Sequence, residues 1–186
     1  MLLSCQTPIE QTEKWLIDVV IGLNLCPFAA KPYKKEQIHI AQSNATTEES
    51  LLEDILVEMQ QLNSIPAADR DTTLVVIPHM LNDFWDYNMF LDWVDALIKQ
   101  QQWEGVFQIA SFHPEYCFHG AHQEDSENLT NRSPFPTIHI IREASMERVL
   151  KLFKDPESIP ETNMDTVSEL TDQQKQALFP YLFTEK

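Results

Sequence analysis

The chain has 186 residues, of which 43% are hydrophobic, and a formal net charge of −16. That length is one domain's worth and buries a core without disulfide or metal staples. The acidic balance excludes a general affinity for nucleic acid phosphates or anionic lipid, so any basic cluster stands out against its background.

In chain order, Trp15, Leu16, Val19, Val20 and Leu23 recur at helical spacing and predict a helix over 12–25, capped by Thr7 or Thr12 and ended before Pro27. A basic, aromatic loop follows over 28–36. Ile38 and Ile40 alternate with His39 and Ala41, the pattern of a strand over 37–42. Thr47 can cap a helix to about Leu62, with Leu51, Leu52, Ile55, Leu56 and Met59 inward. The β-branched run 72–77 suits a doubly covered strand stopped by Pro78. A helix over 87–99, a strand over 106–112, a long aperiodic stretch over 115–136, a strand over 137–142 and a helix over 145–154 complete the body. Residues 155–186 read as an acidic C-terminal appendage with a short helix near 171–178. The whole chain, 1–186, reads as a single domain.

The order α-β-α-β-α-β-β-α predicts an α/β fold: a mixed, mostly parallel sheet of about four strands with helices packed on it. The fourth strand has no helix before it, so it is expected to return antiparallel. Ligands of such sheets sit beyond the carboxyl ends of parallel strands. That rim would gather Ser43, Asn44, His79 and His113, with Asn131 and Arg132 arriving at the start of the fourth strand.

Three chemistries deserve weighing. Cys26 is the candidate nucleophile; its Cys-Pro-Phe setting lacks the preceding strand and second cysteine of a redox motif, and a buried inert thiol is its ordinary alternative. His113, His119 and His122, with Cys117 and Asp125, lie close enough in sequence to hold zinc or iron, though at spacings that match no helical ligand motif. Asn131, Arg132, His139 and Arg142 concentrate cationic and polar groups suited to a small anionic molecule, unless the arginines only brace the fold. Three glycines in total leave no phosphate-cradling loop.

Gly22-Leu23-Asn24-Leu25-Cys26-Pro27-Phe28-Ala29, then Phe112-His113-Pro114 with Tyr116 and Phe118, then Thr130-Asn131-Arg132-Ser133-Pro134-Phe135-Pro136 with His139 and Arg142-Glu143, resemble the bacterial family known as domain of unknown function 1415. The resemblance covers nearly the whole chain. It implies which residues to suspect and brings no activity or cofactor. Cys117 and the His119-Gly120-Ala121-His122 stretch fall outside its pattern.

The odd count of cysteines (Cys5, Cys26, Cys117) argues for a reducing compartment. The N-terminus lacks the features of a signal peptide, and no apolar run reaches membrane-spanning length. The expectation is a soluble cytoplasmic protein with no nucleic acid or membrane partner. Two functions follow: a small enzyme on an anionic metabolite, with His113 as acid or base and Cys26 as possible nucleophile, or a non-catalytic module binding a ligand or protein through the 113–136 loop.

Overall fold

The computed structural model describes residues 6–183; Cys5 lies outside them. Helix α1 (Pro8–Trp15) starts at a capping box in which Thr7 and Glu10 bond each other's backbone N–H groups. It runs on as a wider, π-type helical segment, Leu16–Ile21. A short α2 (Ala30–Lys34) leads to β1 (Ile38–Gln42), α3 (Glu48–Ser64), β2 (Thr72–Val76), α4 (Phe84–Gln100) and β3 (Phe107–Phe112). After a long loop come β4 (Thr137–Arg142), α5 (Glu143–Leu150), α6 (Ile159–Ser168) and α7 (Asp172–Leu178).

The strands form one sheet in the order β1-β2-β4-β3. β1 and β2 are parallel, and β4 is antiparallel to both of its neighbours. β1, β2 and β3 therefore point the same way, as the crossover helices require. The expected return of β4 is antiparallel, as the missing crossover helix demands. The expectation of mostly parallel pairing is corrected. β4 inserts between β2 and β3 instead of lying at an edge, so it makes two of the three pairings antiparallel.

Strand alternation divides the apolar residues between two faces. One face offers Val75, Ile138, Ile140 and Phe107 to α3 and α4, whose Leu51, Ile55, Met59, Leu62, Phe90, Val94 and Ile98 complete a buried cluster. The opposite face offers Ile38, Ile40, Leu74 and Phe112 to Trp15, Leu16, Val19 and Val20. Val167 and Phe179 are fully buried in this second cluster, joined by Leu178 and Tyr181. The stretch read as an appendage packs on the body as far as the structure describes it, to residue 183. Its few apolar residues dock on the body, Asn163 Nδ2 donates to Leu25 O at 2.7 Å, and Tyr181 Oη donates to Arg132 O at 3.0 Å. Among the described residues, no helix is long and apolar enough to cross a membrane.

Candidate functional site

The 113–136 loop joins the end of β3 to the start of β4, and its polar groups brace that end of the sheet. His113 is fully buried. Its Nε2 lies 3.0 Å from Leu81 O and its Nδ1 accepts from the Glu115 N–H at 2.9 Å. The second bond assigns the ring proton to Nε2, so both nitrogens are engaged. Phe84 and Tyr87 of α4 pack on the ring, and burial holds its pKa below the ordinary histidine value. Asn131 Nδ2 donates to Ser111 O at 3.1 Å, while the His113 N–H donates to Asn131 O, tying the loop to the end of β3.

Arg132 donates from Nε to Tyr116 O and from Nη2 to Gln123 O and Oε1, closing the loop on itself. Arg142 sits at the far end of β4, where its guanidinium donates to the carbonyls of Leu62, Ile65 and Arg70 and so finishes the carboxyl end of α3. The arginines brace backbone, and they lie at opposite ends of β4. His119 and His122 are exposed on the loop surface. Among the described residues, no group of three or more His, Cys, Asp or Glu is placed to hold a metal ion.

Cys26 and His139 are brought together. They line one cavity of about 200 Å³ on the face of the sheet that α1 covers. Its walls are mainly apolar: Trp15, Leu16 and Val20 above, Phe28, Ala29 and Pro32 at one side, Leu74, Ala110, Phe112 and Ile141 below, Met146 and Val149 of α5 beyond. Cys26 therefore does not share a cavity with His113. β3 sends Phe112 to this face, whereas the ring of His113 lies among α4 residues on the other.

Local sequence explains how the thiol arrives there. The wide helical segment ends where the Gly22 N–H donates to Ile17 O. A Cβ on Gly22 would lie 2.3 Å from Asp18 O, so only glycine fits. Asn24 then takes the left-handed conformation at φ 56°, which asparagine tolerates. Leu25 turns inward, Cys26 faces the cavity, and backbone N–H groups of Phe28 and Ala29 point at its sulfur. Burial raises the thiol pKa above its ordinary value, with those N–H groups opposing the effect in part.

His139 projects from the middle of β4. Its Nε2 and Thr72 Oγ1 are 2.6 Å apart, and that hydroxyl donates to Ile140 O at 2.6 Å. The hydroxyl proton is thereby committed, so His139 carries its proton on Nε2 and donates to Thr72. Nδ1 keeps a free lone pair, with no hydrogen-bond partner among the described residues. Burial pushes the imidazole down to about 4, which makes it neutral at pH 7. Trp15 is buried beside the cavity; its Nε1 has no hydrogen-bond partner among the described residues, and its ring meets Phe112 edge-on at 5.1 Å. Thr72 sat unnoticed in a β-branched run, since its partner is a residue 67 positions on.

The three sequence stretches around Gly22, His113 and Asn131 thus have distinct tasks: the first shapes the cavity, and the other two fasten the sheet's rim. A comparison with curated proteins and with solved structures finds no match. A family model described as protein of unknown function (DUF1415) matches residues 7–177. Spanning nearly every described residue, that match establishes that the chain belongs to the DUF1415 family.

Proposed function

We propose that the protein binds a small, neutral, mostly apolar molecule in the cavity beneath Trp15 and Val20, in the reducing cytoplasm of a bacterial cell. The observation that carries this reading is a volume of about 200 Å³ with apolar walls that also holds a thiol and an imidazole. Protein interiors keep few voids larger than a water molecule, and an apolar cavity of roughly 150 Å³ accommodates benzene. The occupant is then about the size of a substituted ring or a branched aliphatic chain. The lone pair on His139 Nδ1 suits one ligand N–H or O–H.

An anionic ligand, the expectation raised by Arg132 and Arg142, has less support. The cavity lining holds Asp71 and no lysine or arginine, so a full negative charge would be buried without a counter-charge. A catalytic reading keeps one observation in its favour, the shared cavity of Cys26 and His139. The thiol is held protonated and the imidazole is a weak base, so binding is the leading function and thiol chemistry the second.

The test uses the full chain with Cys5→Ser and Cys117→Ser, leaving Cys26 as its single thiol. An uncharged thiol reagent should label Cys26 slowly at pH 7 and faster above pH 9, the ordinary thiol range. Millimolar phenol or benzamide should slow labelling saturably, and Ala110→Leu, which fills the cavity floor, should remove that protection while preserving the melting temperature. Failure of every neutral aromatic and aliphatic probe to protect Cys26 would sink the binding reading. A rate that falls about tenfold in His139→Gln at pH 7 would instead favour the enzyme.

A further inference from the structure

Helix α4 buries Tyr87, Phe90, Val94 and Ile98 against the sheet. Its outer surface carries Trp85, Met89 and Trp93, which are 70%, 49% and 58% exposed. Residues four apart share a helix face, so these three form one stripe along the helix axis. Tryptophan is among the residues least often left open to water, and two on one stripe is the composition of an interface centre. Acids flank the stripe: Asp86 on one side, Asp92 and Asp95 on the other, all exposed. Helix α3, packed beside α4 on the same face of the sheet, exposes Glu48, Glu49 and Glu53.

We propose that this stripe is a docking surface for a cationic, amphipathic helical segment of another protein. The stripe supplies two indole faces and a methionine for an apolar seam, and its acidic borders match Lys or Arg on either side of that seam. Lysine or arginine over an exposed indole adds a cation–π attraction of its own. A second copy of this chain is disfavoured as the occupant, because two such faces would set aspartates against aspartates in molecules of net charge −16 each. The surface is separated by the whole sheet from the Cys26 cavity, so its fate is independent of that site.

Fluorescence anisotropy tests the assignment, with labelled peptides of about 18 residues titrated into the full chain at roughly 50 mM salt, where exposed charges still act. One peptide is built of Leu and Lys with all leucines on one face. A second has the same composition scrambled to abolish that face, and a third carries Glu in place of Lys. The amphipathic cationic peptide should bind at least about tenfold tighter than the scrambled one, and the Glu peptide should not bind. Trp85→Ser/Trp93→Ser should lose at least about tenfold affinity with an unchanged melting temperature, and Met89→Glu should also weaken binding although it adds negative charge. Equal affinity for the scrambled peptide, or no loss in either variant, reduces the effect to bulk charge and overturns the proposal. So does concentration-dependent dimerisation of the chain alone that Trp85→Ser/Trp93→Ser abolishes. Wild-type capture by neutral phospholipid vesicles, lost in the same variant, would overturn it in favour of a membrane.

Discussion

His113 and His139 show how differently one side chain is used in two places. His113 has one nitrogen engaged by Leu81 O ahead of α4 and the other by the Glu115 N–H of its own loop, and its ring is wrapped by Phe84 and Tyr87, so it is a brace. Replacing it with alanine leaves the Leu81 carbonyl and the Glu115 N–H unpaired and opens a void, and should cost about 2–4 kcal/mol in urea unfolding. His139 has a folded pKa of about 4 against an ordinary 6.5. Between those values the unfolded chain binds the extra proton, so stability falls as pH drops from 6.5 to 4 and is flat with respect to this group outside that window. His139→Gln should remove that component, at most about 3 kcal/mol, when the pH dependence of unfolding is compared with wild type. The sequence suggests acid–base work for His113 and ligand binding for His139. What separates them is a carbonyl 32 residues away for His113 and a hydroxyl 67 residues away for His139. Arg142 was opaque for the same reason, since the helix end it finishes lies nearly eighty residues back.

At the scale of elements, periodicity read well where a helix has one buried stripe and failed where geometry departs from the regular. Helices α3 and α4 and the four strands fall within a few residues of expectation. The start of α1 was capped by Thr7, one of the two candidates, but its extension as a wide turn left no mark in the spacing of Trp15, Leu16, Val19 and Val20. Gly22 is the sequence trace of that turn. Gly22→Ala must push Asp18 O aside, and we expect a loss of about 1–3 kcal/mol together with faster thiol labelling of Cys26 as the turn loosens. Helix α6 was missed because its single fully buried side chain, Val167, gives no stripe to see.

Across the whole molecule, the sequence carried the four strands with the helices α3 and α4 between them, and the antiparallel return of the last strand. It did not carry strand order, because pairing preference between β-branched strands is weakly specific and depends on what covers each face. The rule that ligands gather at the carboxyl rim of parallel strands pointed to His113, Asn131 and Arg132, whose polar groups are taken up by bonds to backbone there. The cavity opens instead on a face of the sheet, lined by residues from α1 and its wide extension, α2, all four strands and α5. Its two chemical groups, Cys26 and His139, were both named among the candidates, but with different companions.

The central position of β4 has a temporal side. A ribosome delivers β1, β2 and β3 first, yet β3 finds its neighbour only in β4, which is made afterwards. Until residue 142 has emerged, the nascent polypeptide holds one parallel pair and a solitary third strand with unpaired edges, a state prone to sticking. Consolidation of the sheet then waits on β4, and a nonsense truncation just before Thr137 should yield an insoluble product instead of a smaller folded one.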